Sequence, residues 1–132
     1  MKQFLASFLC VFLLVSCESA PSVAVQRYRD DGLPAWVGQS FTNPNDYWAG
    51  FNDETGYYSY GEAQYGDRAS STAAAELDAK IRLVEFISSE KKRRMNGTSI
   101  NGVLRVDRFI AENGTVYVLV FVSKKNADKA FR

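Results

Sequence analysis

Histidine is absent from all 132 residues. The chain thereby lacks the commonest general base at neutral pH and the commonest metal ligand. A serine–histidine triad and a thiolate–imidazole zinc site are excluded. Cysteine is scarce: Cys10 and Cys17 are the only two. Neither sign of charge dominates, with 16 basic residues against 15 acidic. A general nucleic-acid binder would normally be clearly basic, so no nucleic-acid partner is expected. No apolar run reaches the roughly 20 residues that a membrane-spanning helix needs. Asp53 and Glu54 form a carboxylate pair, but in a loop, where solvent exposure is the simpler reading. No catalytic residues, cofactor, metal or small-molecule substrate are indicated.

What is present starts at the amino terminus. Lys2 supplies a positive charge, and residues 4–15 form a mostly apolar stretch. Its length falls in the range of about 7–15 residues typical of a signal-peptide core. Leu14-Val15-Ser16-Cys17 closes it, with a large apolar residue three before the cysteine and a small one directly before it. This is lipobox spacing. Residues 1–16 read as a lipoprotein signal peptide, cut before Cys17, which then carries the lipid. An ordinary secretory signal cut near Ala20 is the alternative; an uncleaved anchor fits less well because the run is short. Two or more acyl chains hold a protein on a membrane, at about 0.8 kcal/mol per buried methylene. The expected location is the bacterial cell envelope, lipid-anchored, with the outer membrane favoured. Loss of residues 1–16 removes Lys2 and Cys10, leaving neither a net charge nor a possible disulfide.

Residues 17–33 read as a flexible tether, with Pro21, small residues and the charged run Arg27-Tyr28-Arg29-Asp30-Asp31. Residues 34–132 read as one domain. Pro34-Ala35-Trp36-Val37 opens it, and residues 38–53 form a turn-rich arm carrying Tyr47, Trp48 and Phe51. Aromatic-rich residues 57–65 suggest a first strand, with Gly61 and Gly66 marking a bulge or a close backbone approach.

A long helix follows, from Asp67 or Ser70 to about Arg94. Its expected core stripe is Ala69, Ala73, Leu77, Ile81, Val84 and Ile87. Lys91-Lys92-Arg93-Arg94 falls in the expected last turn, facing the negative end of the helix dipole, and Asn96-Gly97 ends the helix. Residues 100–110 and 115–123 read as strands joined at Glu112-Asn113-Gly114. The second of these is continuously apolar, as for a central strand covered on both faces or meeting another subunit. Residues 124–132 form a charged tail with one or two helical turns. The expected fold is α+β: strand–helix–strand–strand, with one long helix across a small, mainly antiparallel three-stranded sheet.

The order of these motifs resembles the Lpp-twenty family of small bacterial membrane-associated lipoproteins. The resemblance rests on the lipobox at Cys17, Pro34-Ala35-Trp36, Tyr60-Gly61-Glu62-Ala63, and the alanine-rich helix entry at residues 73–75. Val106-Asp107-Arg108-Phe109 and the strand from Thr115 to Val120 complete it. It implies an envelope location, a non-enzymatic role and, for some relatives, flagellar outer-membrane assembly. Only Cys17 maps as a functional position. The tyrosine-rich first strand and the aromatic segment 38–56 depart from the family pattern.

Two surfaces are candidates for partner binding. Tyr47, Trp48, Phe51, Tyr57, Tyr58 and Tyr60 suggest a stacking face for peptidoglycan or another glycan, or for a protein, with packing in the core as the simpler reading. Lys91, Lys92, Arg93 and Arg94 suggest contact with anionic lipid or a polyanionic wall polymer, with complementarity to the helix dipole as the simpler reading. The functional expectation is a lipid-anchored envelope protein that binds itself or another envelope component. A glycan-binding module is the runner-up.

Overall fold

The computed structural model describes residues 25–49, 55–97 and 99–132. In chain order the elements are β1 (Val25–Gln26), β2 (Ser40–Phe41), a 3₁₀ turn (Pro44–Asp46), β3 (Trp48–Ala49), β4 (Gly56–Ala63), α1 (Arg68–Lys91), β5 (Leu104–Ile110), β6 (Val116–Ser123) and α2 (Lys124–Ala130). One antiparallel sheet has the order β2-β4-β6-β5, and β1 pairs with β3 in a separate two-stranded ribbon. The class is α+β, with the long helix packed on the sheet. The arm supplies a fourth, two-residue strand, β2, beside the three that the sequence suggests.

β6 is central, and its alternation explains why it is apolar throughout. Val116, Val118, Val120 and Val122 join the core under α1, while Leu119 and Phe121 join a second core under the arm. The domain is therefore three layers: helix, sheet, aromatic arm. Successive side chains of a strand point to opposite faces, so a strand covered twice has no polar side.

α1 is positioned by its smallest residues. Asp67 caps it, its Oδ1 accepting from the Ser70 backbone N–H at 2.7 Å. That bond holds the Asp67 carboxyl below the usual carboxylate range. The buried stripe is Ser71, Thr72, Ala75, Ala79, Leu83 and Ile87. This corrects the expected stripe: Leu77 and Ile81 lie roughly half a turn away and face outward. The cause is Gly61 on β4, where a β-carbon would collide with the Ala75 carbonyl and the Ala79 backbone. Only alanine opposite glycine lets helix and strand backbones come this close, so the alanine ridge, not the leucine ridge, meets the sheet.

Residues 25–33 pair with the domain instead of trailing as a tether. Arg27 N–H donates to the Tyr47 carbonyl at 3.0 Å, and Tyr28 bridges Pro34. Asp107 on β5 clamps this layer down. Its Oδ2 accepts from Gln26 Nε2 at 2.7 Å and from the fully buried Trp36 Nε1 at 3.2 Å. Its Oδ1 accepts from the Arg108 N–H at 2.8 Å. At the opposite edge β2 is too short to pair all of β4. There Asp78 of α1 accepts the Glu62 backbone N–H at 3.0 Å and pairs with Arg82 at 3.3 Å. Arg82 in turn stacks on the Tyr60 ring, 4.2 Å from its centroid, and bonds its hydroxyl. An exposed sheet edge is thereby covered by helix side chains.

Candidate interaction surfaces

Among the described residues, Trp48 of the arm is inside the domain and Tyr47 is half-buried. Tyr57 and Tyr58 are neighbours on β4 and so point to opposite faces. Tyr57 packs edge-on against Phe86 at 5.9 Å, under the helix. Tyr58 stacks on Phe41 at 4.8 Å and 4°, under the arm, with Trp48 6.3 Å away. Tyr47 lies over Phe41 at 4.0 Å, half-buried, and burial raises its phenol above the usual tyrosine range, helped by Asp46. Tyr57, Tyr58 and Trp48 are 6%, 2% and 7% exposed. These rings do not form a common stacking face, because burying them is what holds the two cores together. Phe51 and Cys17 lie outside the described residues.

The basic segment is split by the end of the helix. α1 closes at Lys91, and Lys92 adopts the left-handed conformation at φ 53° with its N–H on the Ser88 carbonyl. Arg93 and Arg94 therefore follow the helix; they are not in its last turn, as the sequence suggests, because Lys92 reverses the chain before Asn96-Gly97 is reached. Lys91 forms an ion pair with Asp128 of α2. That hydrogen bond holds the Asp128 carboxyl below its usual range and the Lys91 ammonium above its own. Asn96 N–H donates to the Ala130 carbonyl at 2.6 Å, so α2 seats beside the end of α1. α2 brings Lys124, Lys125 and Lys129, all exposed, to the same end of the molecule.

One further surface was not visible as such in the sequence. α1 packs mainly over β4 and β6, and β5 lies beside its flank. Along its free flank Leu77 and Ile81 are 61% and 51% exposed. With Val84 they wall a groove of about 630 Å³, closed on the other side by Met95, Ile100 and Val103. Lys80, Glu85 and Asn101 stand at its polar margin. A volume in the range of about 300–1,000 Å³ suits a small ligand or an inserted side-chain cluster. Single exposed leucines are ordinary, but two flanking an apolar groove form a patch. The signal was there: Leu77, Ile81 and Val84 form an apolar stripe distinct from the Ala75, Ala79, Leu83 stripe, so α1 has two apolar faces for one sheet.

Among the described residues, no helix is long and apolar enough to cross a membrane, and no group of three or more acidic or thiol side chains is placed to hold a metal. Comparison with protein-family models, with curated proteins and with solved structures returns no match, so the resemblance to Lpp-twenty lipoproteins rests on the order of its motifs alone.

Proposed function

We propose that this chain is a lipid-anchored bacterial envelope protein that works by contact, with a second copy or with another envelope component. The anchor reading is supported by Leu14-Val15-Ser16-Cys17 at the end of an apolar stretch of signal-peptide length. The resemblance to Lpp-twenty lipoproteins points to the same location. The observation that carries the contact reading is the exposed Leu77–Ile81 flank beside its groove, on a domain whose sheet is already covered on both faces. The glycan reading is not favoured, because Trp48, Tyr57 and Tyr58 are consumed by the core.

Light scattering of the mature protein in mild detergent, with photo-crosslinking from position 81 in intact cells, tests the contact. Wild-type protein is expected to run above monomer mass or to crosslink to a discrete partner. The double variant Leu77→Asp, Ile81→Asp is expected to lose that association with only a small change in unfolding midpoint, since both side chains are more than half exposed. Identical association for the two proteins rejects the flank as the contact surface.

A further inference from the structure

We infer that the end of the domain formed by the close of α1 and by α2 is a docking face for an anionic lipid bilayer. Four consecutive cations, Lys91 to Arg94, meet three more from α2 there. Glu90 and Asp128 are the acidic side chains of these two segments, and Asp128 is already engaged by Lys91. Among the described residues, these two segments thus carry an excess of positive charge at one end of a chain whose charge is nearly balanced. Each cation near an anionic bilayer adds an attraction that decays within a Debye length.

Two further observations point the same way. The first is where the chain enters. Gln26 sits at Asp107, while residues 31–33 line the turn at 109–113, so the path backward through Val25 runs toward the end where β5 begins. That is the basic end: Leu104, at the start of β5, pairs with Phe121, three residues before Lys124. Only residues 18–24 separate Cys17 from Val25, so the two lie at most about 29 Å apart at 3.6 Å per step. A lipid on Cys17 would hold this end within its own dimensions of the headgroups, at high effective concentration. The second is Lys92 itself. A left-handed cap suits glycine, and a side chain there is strained. Sequences break such local rules mostly where function asks for the side chain, and here the side chain is a cation. The leash depends on the anchor reading; the charged face depends only on the fold.

The test uses the mature lipoprotein reconstituted into vesicles of phosphatidylcholine alone or of equimolar phosphatidylcholine and phosphatidylglycerol. Amide exchange is followed by mass spectrometry in peptides covering 91–103 and 124–132. On the anionic vesicles, at about 0.1 M salt, exchange in both peptides is expected to slow by on the order of tenfold. The protection is expected to vanish at about 1 M salt, where the Debye length is only about 3 Å. It is also expected to vanish in the variant Arg93→Glu, Arg94→Glu, Lys125→Glu, whose circular dichroism reports an intact fold. Equal exchange on both vesicles overturns the inference. So does protection that survives high salt, which would mark an apolar or protein occupant. The anchor is read separately in the same samples: an N-terminal peptide without acyl chains, or protein that leaves neutral vesicles on flotation, defeats the anchor while leaving the charged face to be judged by the exchange data.

Discussion

Gly61 is the position at which the fold has least freedom. The backbones of β4 and α1 meet there with no side chain between them. Gly61→Ala forces either the helix off the sheet or the strand out of register. Overpacking of this kind costs about 3 kcal/mol, seen as a lower denaturant midpoint of the mature protein. An unchanged midpoint would mean that α1 rides higher than described. Gly61 was legible in the sequence as a close approach or a bulge. Which of the two it marks depends on what lies opposite, and that is set by Ala75 and Ala79, fourteen and eighteen residues on. Asp107 was less legible still. One acidic residue in an edge strand reads as solvated, yet it receives the indole of Trp36 across the layer boundary.

Helix and strand identities could be read from periodicity, whereas their facing could not. Residues 115–123 suggest a central strand covered on both faces or meeting another subunit, and the structure covers its residues 116–122 on both sides. For α1, two stripes compete and hydrophobicity favours the larger residues; the alanine stripe wins through steric fit to β4. The end of α1 was hidden for a similar reason, since lysine gives no signal of a left-handed cap and Gly97 does. At that end the Lys91–Asp128 pair ties α2 to α1, and its charges give a defined pH response. Asp128 titrates lower folded than unfolded, so its contribution is complete above the ordinary carboxylate range and is lost as pH falls through the lowered value. Lys91 titrates higher folded, so its contribution is complete below the ordinary lysine range and is lost as pH rises through the raised value. The pair is solvent-accessible, so the effect is small. The thermal midpoint of Lys91→Met is expected to fall slightly below wild type near neutrality, with the gap closing toward both acid and strong alkali. A gap independent of pH would assign the lysine a packing role only.

At the scale of the molecule, the layers account for where contact is possible. The arm covers one sheet face and α1 the other, which buries Trp48, Tyr57 and Tyr58 and leaves outside, among the described residues, the apolar flank of α1 beside β5 and the basic end. The flank was hidden in the sequence because the same residues made a plausible core stripe. The basic end was half visible, as residues 91–94, because α2 joins it only in three dimensions. Both features bear on the proposed attachment of the chain to a membrane through Cys17.

That attachment is most directly examined by intact-mass and tandem mass spectrometry of the protein extracted from bacterial membranes. A mature chain starting at Cys17, with a diacylglyceryl thioether and the mass of two or three acyl chains, is the expected finding. An unmodified amino terminus at or beyond Glu18 would contradict it.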